Sequence, residues 1–74
     1  MDVKVLVGRN VRRFRLEKGL TQEKLTEDSG VSQQYISELE RGARNPTIDT
    51  LAKIALALGV TATDLFDPDS DTSR

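Results

Sequence analysis

Apolar residues recur along this chain at helical spacing, and strand-like alternation is absent. Val7, Val11 and Phe14 stand at i, i+4 and i+7, one face of a helix from about Val3 to Lys18. Gly19 supplies the left-handed residue that stops it. Thr21 is a good N-cap for a second helix, with Gln22 and Glu23 in its first turn and Leu25 facing inward. That helix ends near Ser29, and Gly30 turns the chain. Ser32 caps a third helix, which buries Ile36 and Leu39 and stops at Gly42. The loop Ala43-Arg44-Asn45-Pro46 follows, and Pro46 bars Asn45 from helix. Thr47 caps a fourth helix, TIDTLAKIALALG, with Ile48, Leu51, Ile54, Ala55 and Leu58 on its apolar side and Gly59 as terminator. Thr61 with Asp64 three residues on reads as a capping box that opens a short fifth helix through Phe66. The expectation is an all-α fold: one five-helix domain over residues 1–66, then a flexible acidic tail over residues 67–74.

Composition narrows what such a domain does. At 74 residues the chain sits near the lower limit for a self-sufficient core. It has no Cys and no His, which removes disulfides, the usual zinc ligands and the usual general base at neutral pH. No metal or other cofactor is expected. No Gly-rich phosphate loop appears and the carboxylates are scattered, so an enzyme has little to stand on. Apolar runs are far too short to span a membrane, and the N-terminus does not resemble a secretory signal, so a cytoplasmic protein is expected. The formal net charge of -1 conceals an asymmetry. Residues 1–44 hold nine Lys/Arg against seven Asp/Glu, whereas residues 45–74 hold two against five. A polyanion is steered by the local field, so the overall acidity does not exclude nucleic acid.

The strongest signal lies in the two middle helices. Gln22 to Ser29 and Gln33 to Arg41 are joined by a turn of about three residues containing Gly30, the helix-turn-helix arrangement. Counted from Gln22, Thr26 falls at the fifth position, Gly30 at the ninth and Ile36 at the fifteenth. The fifth faces the crossing helix, the ninth needs a positive φ, and the fifteenth must be apolar to lock the pair. GLTQEKL, GVSQQYISELERG, NP and TLAKIALALGV together resemble the phage-repressor and Cro-type family, also called the xenobiotic-response-element family. The resemblance runs from roughly Val7 to Phe66. It implies a compact, lambda-repressor-like five-helix domain that binds double-stranded DNA as a symmetric dimer, with helix three in the major groove. Thr26 and Ser29 depart from the family, which most often has Ala there, and a slightly wider helix crossing is expected.

Within that frame the candidate residues acquire roles. Gln33 and Gln34 open helix three, where a Gln pairs bidentately with adenine through N6 and N7. Ser37 and Glu38 lie one turn later on the same face, Ser37 for a base or phosphate and Glu38 for cytosine N4. Tyr35 either stacks on the core or sends its hydroxyl to a phosphate. Gln22 begins helix two, where the family places a side chain against phosphate and the helix dipole favours an anion. Ser32, Arg41, Arg44, Asn45 and Arg12 complete the candidate phosphate contacts, with Arg13 either such a contact or a solvated charge. The resemblance implies a structural ion pair between Arg15 and Glu40, so Arg15 is not counted as a DNA ligand. Leu65 and Phe66 exceed what so short a helix needs; one closes the core and the other forms half of a dimer seam, and sequence does not assign them. The expected function is a non-enzymatic, sequence-specific transcriptional regulator on a palindromic operator. The alternative is an antitoxin or adaptor-type protein-interaction module on the same fold. With no second domain expected, no small-molecule ligand is expected either.

Overall fold

Each helix begins where a short polar side chain satisfies its first turn. In the computed structural model, which describes residues 2–68, Asp2 caps α1 (Val3–Glu17) and Thr21 caps α2 (Gln22–Ser29). Ser32, Thr47 and Thr61 do the same for α3 (Gln33–Glu40), α4 (Ile48–Leu58) and α5 (Ala62–Leu65). In α5 the cap is reciprocal: Asp64 N–H donates to Thr61 Oγ1 at 3.1 Å, and Thr61 N–H donates to Asp64 Oδ2 at 2.9 Å. The five caps place the helix starts within a residue of their sequence positions. Gly30 ends α2 with φ 77°, and its N–H closes on the Thr26 carbonyl at 2.8 Å, which makes the turn tight.

The described residues are all-α. α1 packs against α3 and α5, α2 against α3 and α4, and α4 against α5. Val7, Val11, Leu25, Ile36, Leu39, Ile54, Leu58 and Leu65 form the innermost core, each at 1 % exposure or less. None of the described helices is long and apolar enough to cross a membrane. Residues 69–74, most of the expected tail, lie outside the described residues.

Three features of α1 fix its neighbours. Gly8 is buried where the backbones of α1 and α3 meet; a Cβ there would stand 2.0 Å from the Leu39 carbonyl oxygen. Asn10, fully buried, donates through Nδ2 to the carbonyls of Leu65 at 2.8 Å and Asp67 at 3.2 Å, closing the end of α5. Arg15 reaches α3. Its Nε and Nη2 donate to the two carboxylate oxygens of Glu40 at 2.7 and 2.9 Å, and its Nη1 donates to the Leu20 carbonyl at 2.8 Å. The side chains of the pair are only 10 % and 4 % exposed, and the Glu40 hydrogen bond raises the arginine pKa above its already high ordinary value.

Two expectations need correction or completion. Ile48 is not on the buried side: it is 85 % exposed, as the first residue of α4, one turn before Leu51. It lies about 60° round the helix from Leu51, on the flank that continues to the exposed Ala52. Of the pair left open, Leu65 closes the core at 0 % exposure and Phe66 stands 43 % exposed. At the unusual α2 positions, Thr26 Oγ1 is buried without a hydrogen-bond partner among the described residues. Ser29 Oγ instead accepts from the Val31 N–H at 3.1 Å and helps shape the turn.

Removing Arg15 would leave the Glu40 carboxylate buried with only the Gln22 amide beside it. Arg15→Ala should cost ~3–5 kcal/mol, which for a domain of this size lowers the melting temperature by more than about 10 °C. Thermal unfolding followed by circular dichroism measures this, and a melt equal to the parent's would make Arg15 an ordinary surface residue.

Candidate nucleic-acid interface

Helix α3 is apolar beneath and polar above. Ile36 and Leu39 anchor its underside at 0 % exposure, while Gln33 and Gln34 stand exposed at its start and Ser37 and Glu38 lie half-buried a turn later. Ser32 Oγ accepts from the Tyr35 N–H at 3.1 Å, so the hydroxyl is committed to the helix cap. The N–H groups of Gln33 and Gln34, at the positive end of the helix dipole, have no partner within the helix and favour an anion there. An α-helix with its side chains is about 10–12 Å across, which the major groove, about 12 Å wide, admits.

The turn at Gly42 sends the chain back over this face and assembles a cluster. Glu38 Oε1 accepts from Arg44 Nη2 at 2.7 Å and from Arg44 Nε at 2.8 Å, and Glu38 Oε2 accepts from Gln34 Nε2 at 3.2 Å. The Arg44 guanidinium lies 4.3 Å from the Tyr35 ring centroid. The Tyr35 hydroxyl accepts from the Thr47 N–H at 3.3 Å, linking the cluster to the start of α4. Hydrogen bonds from Arg44 first and Gln34 second hold the Glu38 carboxyl below its ordinary pKa. The contribution of these bonds is therefore complete above the ordinary carboxylate pKa and lost as pH falls through the lowered one.

Other candidates sit differently from one another. Ser37 Oγ accepts from Arg41 Nη1 at 2.7 Å, which lays Arg41 along α3, and Asn45 is exposed in the loop beyond. Gln22, the first residue of α2, donates through Nε2 to Glu40 Oε1 at 3.1 Å and adds a third donor to the Arg15 bridge. Arg12 is exposed on α1. Arg13 is occupied locally, with Nη1 on Glu17 Oε2 at 2.6 Å and its guanidinium 4.3 Å over Phe14. Among the described residues no group of three or more metal-ligating side chains forms.

Three features escaped the sequence reading. The Glu38–Arg44 pair depends on the reversal at Gly42, which spacing along a helix does not register. Asn10 carried no signal beyond being a polar residue beside Val11. Leu56, 83 % exposed on α4, lies off the apolar series of that helix and had no role in that reading.

Comparison with known proteins agrees with this geometry. The helix-turn-helix family model matches residues 11–65. An HTH-type transcriptional regulator of Sinorhizobium fredii, y4dJ, is 56 % identical over 72 residues, which cover 97 % of this chain and 94 % of that protein. The crystal structure of the hypothetical transcription factor NHTF from Neisseria superposes with a TM-score of 0.88 at 35 % identity, over 97 % of this chain and 83 % of that one. The restriction–modification controller protein C.Esp1396I, solved as a tetramer on its natural 35 base-pair operator, gives 0.80 at 38 % identity over 89 % and 87 %. The two helices, their glycine turn and the Arg15–Glu40 bridge thus have their explanation: the chain belongs to the helix-turn-helix family of Cro/C1-type transcriptional regulators.

Proposed function

We propose that this protein is a cytoplasmic, sequence-specific transcriptional regulator that binds an inverted-repeat operator as a homodimer, one α3 in each of two major grooves. The observation that carries the reading is α3 itself: a helix clamped from below by core and bridge, with a polar upper face free of core packing. Gln33 and Gln34 read base edges there, with Ser37 and Glu38 a turn further on. Backbone at the start of α3, Arg41, Arg44 and Asn45 meet the phosphates flanking the groove, and Tyr35 braces Arg44 rather than reaching out alone. The longest dimension of the described chain is 28 Å. Successive half-sites lie ~34 Å apart, so one copy covers one half-site and a second is required. C.Esp1396I, described as a tetramer on its operator, supports multiple copies per site.

The seam of that dimer is read from what the core leaves uncovered. Ile48, Ala52 and Leu56 recur every four residues on the outer face of α4, all exposed, and Phe66 emerges after α5. A two-fold contact through these side chains would bury apolar area that now faces water. Leu56→Ala and Phe66→Ala should each weaken self-association in sedimentation experiments while leaving the melt of dilute protein near the parent's. Leu65→Ala should lower the melt itself, by ~2–5 kcal/mol for a leucine lost from a packed core. The opposite assignment of Leu65 and Phe66 would reverse the two results.

Reading by α3 has its own signature. Gln33→Ala or Gln34→Ala should cost ~1–3 kcal/mol on a selected operator and relax preference at one base pair per half-site. Affinity for random-sequence duplex should barely change, because an uncharged side chain releases no counterion. Arg41→Ala should weaken both duplexes alike and make the salt slope shallower by about one unit per copy. Glutamine variants that lose equally on selected and random duplex would remove α3 from the reading role.

A further inference from the structure

Arg44 is the cation that the loop after α3 turns back over the reading face, yet it is already engaged. Nε and Nη2, the edge of the guanidinium suited to a bidentate contact, both point at Glu38 Oε1 at 2.8 and 2.7 Å, and the ring of Tyr35 lies against its plane. The same carboxylate holds the Gln34 amide through Oε2. One acidic side chain therefore restrains one phosphate-seeking group and one base-seeking group. The pair is wet, with 41 % of the Arg44 side chain and 24 % of the Glu38 side chain exposed. Such pairs exchange partners at little cost.

Exchange is nonetheless asymmetric on DNA. If Arg44 moves to a phosphate, Glu38 is left uncompensated beside a polyanion, which opposes the move. Guanine N7 and O6 and thymine O4 offer only acceptors to that carboxylate, and so do not help. Cytosine N4 and adenine N6 carry amino donors that take the place of Arg44.

We propose that Glu38 is a specificity-determining latch: it keeps Arg44 off the phosphates on random-sequence DNA, and a base amino group at the matching operator position releases it. The proposal rests on the DNA-reading function above. It goes beyond a base contact by Glu38, because it couples that contact to the charge available for the backbone.

The test is a cycle of Glu38→Gln in the parent and in Arg44→Ala, with binding to a random-sequence duplex and to an operator selected from a random library, titrated in salt. Freed by Glu38→Gln, Arg44 adds one counterion-releasing contact on random DNA. The slope should steepen by about 0.9 and affinity should rise roughly eightfold near 0.1 M salt for each copy bound. On the selected operator, where the latch is already open, the gain should be smaller, so the ratio of selected to random affinity falls several-fold. In the Arg44→Ala background Glu38→Gln should not steepen the slope. Equal gains in both backgrounds would mean that Glu38 merely repels DNA, and would overturn the latch while leaving the DNA-reading function intact; no gain in either background would do the same. A parent protein that binds neither duplex at low salt would overturn both. Glu38→Ala, with the same readouts and a residue that favours helix, covers the case in which Glu38→Gln folds poorly.

Discussion

The position of α3 passes through one guanidinium. From the C-terminal end of α1, Arg15 holds both oxygens of the carboxylate that ends α3 and the Leu20 carbonyl in the turn before α2. Two helices and the connection to a third are thereby fixed by a rigid planar fork, a task a lysine ammonium cannot perform. Burying such a pair costs desolvation that its attraction roughly offsets, so its contribution is orientation more than net stability. Gln22, at the first residue of α2, brings that helix into the same network. The angle between the two helices of the DNA-reading motif is thus set from inside the protein, before any DNA arrives.

Helix α1 is the spine that makes the bridge possible. Gly8 lets its backbone approach α3 more closely than any side chain would allow, and the bridge forms two turns further on. Asn10 faces another way and holds the carbonyls at the end of α5, a helix of four residues that has few hydrogen bonds of its own. A polar side chain thus holds the closing helix by its carbonyls, while Leu65 holds it by packing. Both residues are buried for backbone reasons, and that is why apolar periodicity passed over them.

What the sequence made legible was local. Caps at Thr21, Ser32, Thr47 and Thr61 and the turn at Gly30 are decided within four residues, and the structure has them where their chemistry puts them. The Arg15–Glu40 bridge was accessible only through resemblance, since nothing local joins residues twenty-five apart. Coverage was legible along most of α4 and failed at its first residue. Ile48 stands three residues before Leu51, within the same apolar pattern, and only the placement of the other helices leaves it exposed. Gln22 shows the same limit: its position at a helix start marks it for phosphate, and only the assembled fold brings its amide to the Glu40 carboxylate as well.

An overall acidic chain that reads DNA must control where its carboxylates face, and α3 shows two ways of doing so. Glu38 and Glu40 are two residues apart, about 200° around the helix, so one looks out when the other looks in. Each is held by an arginine. The Glu40 side chain, 4 % exposed and held by three donors, is removed from the DNA surface altogether, and its charge is cancelled inside the fold. Glu38 is cancelled on the surface, within reach of solvent, by an arginine that has other uses. The difference in burial decides what each pair does. Solvent competes weakly for the first, so it behaves as part of the scaffold; it competes strongly for the second, so a ligand can compete as well. The same helix therefore carries a fixed charge pair that sets its orientation and an exchangeable one that meets whatever the orientation presents it to.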